Sequence, residues 1–350
     1  PAALMRAHVL SEAGRLDEAA ELLARTRSMW RAAGEPAALG VRLSQQDAQL
    51  ALRRGDYPAA RELLEQGVHH ERMLGDDGPD LADALANLST IEQLMGDLEP
   101  ARAHCAEALE IRERTQGSSH PDVALDLHNL AITYAMQGQL DQAEPLLERS
   151  LAIKIESLGR EHPTVAASLS ALGTVAMERG RSADAERRFD EALALLERLH
   201  GPEHPELYYS LFGLAQLHLE RDPPTGAREL LLRSIALLEK TGGPSHPELA
   251  APLRKLGELE LREQHPAAAI VHLRRAVELS AGIIEDPVEA ADLRLLLARA
   301  LWDGGGDRAQ ASELVRAKLS ELAGGKAAPN LQAVRADLER WLAEHPWPPP

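Results

Sequence analysis

The sequence is poor in cysteine and in aromatic residues. Cys105 is the only cysteine among 350 residues, so an internal disulfide framework is excluded and a reducing compartment such as the cytoplasm is predicted. Aromatic residues make up 3% of the chain, and the 44% of hydrophobic residues are mostly leucine and alanine. Both are strong helix formers, and no segment alternates with the period of two that strands require. The composition therefore predicts an all-α fold.

The chain also has few positive charges and no long apolar run. Its 38 Lys and Arg residues face 55 Asp and Glu residues, which gives a formal net charge of −17. Such a chain repels phosphate backbones and anionic bilayers, so we expect neither nucleic acid nor a membrane surface as a partner. No apolar run approaches the ~18 residues of a transmembrane helix, and no signal segment is recognisable. Basic or mixed-charge protein segments are the partners that this composition favours.

A His-Pro dipeptide recurs along the middle of the chain every 42 residues. It begins at His120, His162, His204 and His246, and the same pattern of apolar and small residues returns with it. Self-similarity at a fixed period of this length is typical of solenoids, in which each repeat packs only against its neighbours. The sequence therefore predicts an extended stack of repeats rather than a compact globule.

Each repeat contains the pattern of two helices. After His120, Leu130 and Tyr134 lie on one helical face, and the proline that follows His120 suits a first helical turn. Gly138 ends this helix, and a second apolar stripe continues to Gly159. We expect the two helices to form an antiparallel hairpin joined by a short glycine turn.

The pattern predicts about eight hairpins in a single solenoid over residues 1–345, followed by a frayed Pro-rich tail at 346–350. A helix from about Asn330 to Glu344 is expected to cap the stack. The chain starts without Met inside an apparent helix, so we expect a fragment of a longer protein with its first helix truncated. The second helices of the hairpins are expected to begin near residues 16, 57, 98, 140, 182, 224, 266 and 307.

Small and large residues recur in register in the second helices, at steps of 41 or 42 residues. A small residue lets paired helices approach to ~8–10 Å, and a large residue four positions later is expected to fill the core. The small residues are Ala60, Ala101, Ala143, Ala185, Ala227 and Ala269. The large ones are Leu64, Cys105, Leu147, Phe189, Leu231 and Leu273. Cys105 is therefore predicted to be a buried core residue rather than a nucleophile.

The spacing Leu127-x2-Leu130-Ala131-x2-Tyr134 resembles the tetratricopeptide repeat. The resemblance is strongest over residues 78–264, and the 42-residue unit is similar to the repeat of kinesin light chains, which many bacterial proteins also carry. The resemblance implies a right-handed superhelix of hairpins whose first helices line a concave face that binds extended peptides. It does not name the partner, and it does not imply cargo transport.

The helical period indicates which first-helix residues face this groove. Asn87 and Asn129 stand at equivalent positions 42 residues apart, and side-chain amides can both donate to and accept from a peptide backbone. The alternative is that these are solvated polar positions on a hydrophilic face. The predicted groove residues are Asn87, Thr90, Gln93, His128, Asn129, Ile132, Ser170, Thr174, Tyr209, Phe212, Gln216, Arg254, Lys255, Glu258 and Arg262.

Three of these residues put positive charge on one first helix of an otherwise acidic chain. Arg254, Lys255 and Arg262 follow the repeat that carries Tyr209 and Phe212. Cations beside exposed aromatic rings would hold an acidic, partly apolar segment. This partner chemistry is an expectation that the structure can test through the charges around the three cations.

Enzymatic motifs are missing from the sequence. It contains no H-E-x-x-H, G-x-x-x-x-G-K-[ST] or G-x-S-x-G pattern. The His-Pro histidines are one repeat apart, too far to share a metal ion, and we expect them to cap helices. Adjacent His69 and His70 point in different directions on a helix. We therefore expect no catalytic residue, no metal and no cofactor.

These observations favour a protein-interaction scaffold that binds a peptide or partner segment. A regulatory or sensory region of a larger bacterial signalling protein, such as a Ser/Thr kinase or a transcriptional regulator, is the second hypothesis and is compatible with the first. Catalysis is a third, and self-association through an open solenoid end is a fourth. The chain is accordingly expected to be a monomer or to self-associate weakly.

Overall fold

The computed structural model describes residues 2–12, 15–32, 37–75, 78–280, 287–322 and 329–347. All regular elements in these ranges are helical, with 17 α-helices and one 3-10 helix, which confirms the predicted all-α class. No helix in these ranges is both long enough and apolar enough to cross a membrane. The chain divides into two compact units, Pro1–Arg179 and Gly180–Pro350, which we call unit 1 and unit 2.

The helices follow one another as pairs, so that odd-numbered helices are the first helices of hairpins and even-numbered helices are the second. Unit 1 contains α1 Ala2–Glu12, α2 Leu16–Ala32, α3 Ala37–Arg53, α4 Tyr57–Leu74, α5 Pro79–Met95, α6 Leu98–Gln116, α7 Pro121–Met136, α8 Leu140–Leu158 and α9 Pro163–Glu178. Unit 2 contains α10 Ser182–His200, α11 Leu207–Leu219, α12 Ala227–Gly242, the 3-10 helix Pro247–Leu249, α13 Ala250–Arg262, α14 Pro266–Ser280, α15 Pro287–Asp303, α16 Arg308–Leu322 and α17 Pro329–Glu344.

The second helices begin within one residue of the predicted positions, with one exception. Helix α12 begins at Ala227 rather than near residue 224. Gly226, directly before it, has a left-handed backbone conformation with φ of 81°. A residue in that conformation is not part of an α-helix, so the helix starts only after it.

Neighbouring helices pack as a stack of hairpins within each unit. In unit 1, α1 packs on α2, α3 on α4, α5 on α6 and α7 on α8, and each second helix also packs on the next first helix. Unit 2 repeats this arrangement from α11 to α16. First helices also contact each other directly. In unit 1, α7 contacts both α5 and α9, and in unit 2, α11 contacts α13. The side of each unit where first helices lie beside one another is called its first-helix face below.

The recurring small and large residues of the second helices form the core, as predicted. The six recurring alanines are fully buried, and the six large residues four positions later are at most 4% exposed. The first helices add small residues where those large side chains press against them. A β-carbon on Gly213 would lie 2.4 Å from the ring of Phe189, so only glycine fits opposite this phenylalanine.

Charged pairs on the second helices join successive repeats. Arg72 on α4 lies 2.8 Å from Glu107 on α6, and Arg149 on α8 lies 2.5 Å from Glu113 on α6. Unit 2 repeats the arrangement, for Arg233 of α12 lies 2.6 Å from Glu197 of α10. These pairs are half exposed, so each contributes at most about 1 kcal/mol to stability. They do show that much of the charge on this side is already paired within the chain.

The C-terminal helix covers the last hairpin. Helix α17 packs on α15 and α16, with Leu338 and Trp341 buried, and the rings of Trp302 and Trp341 meet edge to face at 5.7 Å. The capping helix predicted from the sequence is thus present. The carbonyl of Trp347 accepts a hydrogen bond from Arg316, and residues 348–350 of the predicted tail lie outside the described residues.

His120 and His162 cap the first helices α7 and α9, His246 caps the 3-10 helix before α13, and His204 makes the same contact in the turn before α11. The Nδ1 atom of each accepts a hydrogen bond from the backbone N–H two residues later, at 3.2 Å for His120, 3.3 Å for His162, 3.4 Å for His204 and 3.3 Å for His246. This bond satisfies a donor that the helix itself leaves unpaired. It requires an unprotonated Nδ1, which means a neutral ring.

Removing one of these caps should lower stability measurably. We expect His120→Ala to reduce the free energy of unfolding by about 1 kcal/mol, and His120→Asn to retain most of it, because asparagine is also a good N-cap residue. Urea unfolding at pH 8 measures both. Equal losses in the two variants would show that packing of the ring, rather than capping, accounts for the effect.

Candidate functional site

The first-helix face of unit 1 carries side-chain amides that are not hydrogen-bonded within the described part of the chain. Asn87 on α5 is exposed, and Asn129 on α7 is half-buried. Gln46 on α3 is also half-buried and stands 41 residues before Asn87, the same step that separates Gly55 from Gly96. Since α5 contacts α7 and a cleft joins α3 to α5, these amides form a row across three successive first helices.

Two clefts adjoin this row. One, of ≈ 250 Å³, lies between α3, α4 and α5. The other, of ≈ 340 Å³, lies between α1 and α3. The first is lined by Gln45, Gln46, Ala48, Gln49, Leu52, Leu64, Asn87, Thr90 and Ile91. The second is lined by Leu4, Met5, His8, Arg42, Gln45 and Gln46. Side-chain amides thus border apolar side chains in both clefts, and Arg42 and His8 also line the second one.

The three glutamines of α3 were missed by the sequence analysis. Asp47, half-buried beside them, stands where the repeat pattern calls for an apolar residue, so this repeat did not match clearly. Arg27 on α2 forms an ion pair with Asp47, which explains how a carboxylate is tolerated there. The 41-residue step of the turn glycines was the signal that aligns Gln46 with Asn87.

Other predicted groove residues of unit 1 are used within the chain. The Gln93 side-chain amide donates to Thr133 Oγ1 at 2.6 Å and to the carbonyl of Asn129 at 3.2 Å, so it joins α5 to α7. His128 has no hydrogen-bond partner for its buried Nδ1, and burial, aided by nearby Lys154, lowers its pKa to about 4. Thr174 on α9 is exposed. Asn87, Thr90, Asn129 and Thr174 therefore remain the accessible predicted residues here.

Unit 2 presents aromatic side chains on its first-helix face. Tyr209 is 58% exposed. Its ring meets that of Tyr208 edge to face at 5.2 Å, and the Tyr208 ring stacks on Phe212 at 5.7 Å. Phe212 packs partly against the core of the unit, and Gln216, one turn further along α11, is half-buried. Tyr209 is therefore the member of this cluster that a partner can reach.

The three cations predicted to attract an acidic segment are already partnered. Arg254 lies 3.7 Å from Glu289, Lys255 lies 3.0 Å from Glu258, and Arg262 donates to the carbonyl of Leu219 at 2.5 Å. Glu289 and Glu258 neutralise the first two charges locally. Arg254 and Lys255 thus each have a carboxylate partner, and the acidic partner segment expected beside them stays a prediction.

Charged side chains also lie buried between first and second helices of unit 1. Arg112 on α6 is 3% exposed, and its guanidinium pairs with three carboxylates. Asp126 lies 2.6 Å and Asp122 3.2 Å from it, and Asp83 is the third partner. Asp126 is 1% exposed and neither of its oxygens has a well-directed hydrogen bond. Burial, despite Arg112, raises the pKa of Asp126 to about 7.

One repeat later the equivalent buried cation has no acidic partner. Lys154 on α8 is 5% exposed, and its ammonium donates to Ser168 Oγ at 2.8 Å. No carboxylate of the described residues lies within ion-pair distance. Burial lowers the pKa of Lys154 to about 8. The same position holds Leu196 and Leu238 in the following repeats, so the charge is not needed for the fold.

Groups able to perform chemistry are engaged elsewhere. Cys105 is buried, and its thiol donates a hydrogen bond to Ser89 Oγ. Burial raises the pKa of Cys105, which disfavours the reactive thiolate. Among the described residues, one group brings three metal-ligating side chains together, namely Glu260, Glu263 and His265. The guanidinium of Arg228 pairs with both carboxylates and so occupies the place of a cation.

Comparison with known families agrees with this architecture. A tetratricopeptide repeat family model matches residues 80–156, 164–225 and 208–281, which cover more than half of the chain. A second tetratricopeptide repeat model matches residues 1–25 and 48–66. The search of curated proteins found no match.

Several solved structures share the fold. A putative kinesin light chain of Podosopora anserina with nearly identical TPR-like repeats is 28% identical over 58% of this chain and 97% of its own, with a TM-score of 0.48. The apo quorum sensor NprR of B. thuringiensis is 14% identical over 91% of this chain and 86% of its own, at 0.66. A Rap protein complexed with Competence and Sporulation Factor is 13% identical over 98% of each chain, at 0.63.

The identities of NprR and Rap are low, so these two structures speak to the fold alone. The family model also identifies the family, because it matches the repeats themselves over more than half of the sequence. The fold that it describes generally serves as a protein-interaction scaffold and not as a catalyst. The chain therefore belongs to the tetratricopeptide repeat family.

Proposed function

We propose that this chain binds an extended segment of a partner protein on the first-helix face of unit 1 and performs no catalysis. The observation that carries the proposal is the row of amides formed by Gln46, Asn87 and Asn129, whose side chains make no hydrogen bond to another described residue. Gln46 and Asn129 are half-buried and Asn87 is exposed, so the donors and acceptors of all three amides are available to a ligand. A row of three without partners is the arrangement that a bound backbone would complete.

An extended peptide supplies the matching groups. Each residue offers one N–H donor and one C=O acceptor, and a side-chain amide has both complements. The clefts beside the row have apolar floors, which Leu52, Leu64 and Ile91 form in part, and Leu94 and Met136 are 47% and 50% exposed further along α5 and α7. Apolar side chains of the guest would pack there. The amides would hold its backbone independently of sequence, and the apolar positions would select among sequences.

The proposal is compatible with a regulatory role within a larger bacterial signalling protein in the cytoplasm. NprR is a quorum sensor and the Rap structure holds Competence and Sporulation Factor, so helical stacks of this kind serve signalling in other proteins. A partner segment bound to the amide row would give this chain an input of the same type. The partner and the pathway are separate questions from the binding face itself.

Loss of the asparagine amides should weaken binding strongly. Dodecapeptides selected from a random displayed library against the wild-type chain provide the ligands, and fluorescence polarisation measures their Kd. We expect the double variant Asn87→Ala/Asn129→Ala to raise Kd roughly tenfold or more, since each amide contributes about 0.5–1.5 kcal/mol per hydrogen bond. Circular dichroism should be unchanged, because neither side chain supports the fold.

The matched control is Gln139→Ala/Gln142→Ala, which removes two exposed amides at the start of α8. It should leave Kd within twofold of the wild-type value. Selected peptides that bind both double variants as tightly as the wild type would refute the proposal, because the amide row would then contribute nothing to recognition.

A further inference from the structure

The aromatic cluster of unit 2 is bordered by carboxylates that have no ion-pair partner among the described residues. Glu206 directly precedes α11, which carries Tyr209, and Glu248 lies in the 3-10 helix at the equivalent position of the next repeat. Both are exposed. The nearby Glu203, by contrast, is paired with Lys240. Two negative charges are thus left beside an accessible aromatic ring.

Glu248 acts on both tyrosines of the cluster. Burial first, and then the charge of Glu248, raises the pKa of Tyr209 and that of Tyr208. Glu206 precedes Tyr209 by three residues, about one helical turn, so its carboxylate stands beside the ring that is 58% exposed. Arg254, one of the predicted groove cations, lies 3.7 Å from Glu289. The charge next to the cluster is consequently negative.

We propose that Tyr209, with the carboxylates of Glu206 and Glu248, binds an arginine or lysine side chain of a partner segment. The face of an aromatic ring attracts a cation, and tyrosine is one of the better rings for this contact. Two carboxylates without an ion-pair partner among the described residues add charge complementarity, and the overall charge of −17 attracts a basic partner from a distance. The inference deepens the proposed function and rests on it, since it assumes that first-helix faces hold partner segments.

Defined peptides test the proposed chemistry. We would measure the binding of fluorescein-labelled (Arg-Ala)4, (Ser-Ala)4 and (Glu-Ala)4 to the full chain at 0.15 M salt, where attraction beyond ~8 Å is largely screened. We expect the arginine peptide to bind and the glutamate peptide not to. Tyr209→Ala and Glu248→Gln should each raise the Kd of the arginine peptide roughly fivefold, and Tyr209→Phe should retain most of the affinity because it keeps the ring.

Glu229→Gln is the matched control, since it removes the same charge from an exposed position on α12, with no ion-pair partner among the described residues. It should change Kd by less than twofold. Equal weakening by Glu229→Gln and Glu248→Gln would overturn the inference, because the peptide would then respond to net charge alone. Binding of (Ser-Ala)4 as tight as that of (Arg-Ala)4 would overturn it as well.

The two proposals can fail separately. Library-selected peptides could require Asn87 and Asn129 while Tyr209→Ala leaves the Kd of the arginine peptide unchanged. The binding function would then stand, and the proposal that Tyr209 binds a basic side chain would be wrong. If library-selected peptides ignore the asparagines, the function assigned to unit 1 fails whatever the arginine peptide does. A second copy of this chain as the source of the arginine would show itself as a concentration-dependent mass in light scattering that Tyr209→Ala abolishes.

Discussion

Replacing Lys154 with leucine is expected to stabilise the protein by about 2 kcal/mol, whereas the same replacement at Arg112 is expected to destabilise it by about 3 kcal/mol or more. The two residues occupy equivalent positions in successive second helices and are both buried. They differ in what surrounds them. Lys154 has a single hydroxyl partner, while Arg112 is shared by three carboxylates, of which Asp126 is fully buried.

The two changes in stability have opposite signs because the two substitutions leave different groups buried without a partner. Leucine at position 154 removes a buried charge and leaves Ser168, a hydroxyl that can bond back to its own helix. Leucine at position 112 leaves Asp126 buried beside two other carboxylates with no cation. The apolar side chain itself is tolerated in this place, as Leu196 and Leu238 show at the equivalent positions of later repeats.

Urea unfolding at pH 7 measures both effects, and Arg149→Leu serves as the control because it removes an exposed cation from the same helix as Lys154 at a cost of at most about 1 kcal/mol. The advantage of Lys154→Leu should shrink as pH rises from 8 to 10.5. Over that window the folded wild type, with the lowered pKa, releases its proton before the unfolded chain does, and so gains stability. A variant less stable than the wild type at pH 7 would contradict the prediction.

The second large effect is a loss of wild-type stability between pH 4 and pH 7 that Asp126→Asn should abolish. The pKa of Asp126 is raised in the folded state from 3.8 to about 7. Below pH 4 the carboxyl is protonated in both states. Between pH 4 and pH 7 the unfolded chain ionises first, so ionisation favours unfolding and stability falls as pH rises. A pKa raised from 3.8 to about 7 corresponds to a loss of roughly 4 kcal/mol of stability across this window.

Asparagine is neutral throughout this window and similar in shape, and Arg112 keeps Asp83 and Asp122 as partners when Asp126 is replaced. We therefore expect Asp126→Asn to be more stable than the wild type at pH 8 and nearly equal to it at pH 4. Glu110→Gln, an exposed carboxylate on α6, should show no such difference. A stability gap between Asp126→Asn and the wild type that is the same at pH 4 and pH 8 would refute the assignment.

The repeat was readable from the sequence because it rests on local rules. Glycine at position 138, proline after His120 and apolar spacing between them each act within one turn or one helix. The start of every second helix followed from these rules, except at α12, where the left-handed Gly226 delayed it. Core residues such as Ala143 and Leu147 were predictable for the same reason, since equivalent positions meet equivalent neighbours in every repeat.

The candidate site was only partly readable, because it depends on which side chains find each other across repeats. The positions of Asn87, Asn129 and Tyr209 on the first-helix face came from helical period alone. The carboxylate partners of Arg254 and Lys255 could not be predicted from the helical period. An ion pair between helices depends on rotamers and on distances of a few ångströms, which a repeat pattern does not specify.

The sequence by itself determined the all-α hairpin stack, its 42-residue step, its buried alanine and leucine positions and the caps that begin its helices. All of these arise from interactions between residues close in sequence or from a period that repeats. Tertiary structure alone decided which polar groups stay free for a partner. Gln46 and Asn129 remain unpaired and Gln93 does not, since hydrogen bonds and ion pairs form between side chains that only folding brings together.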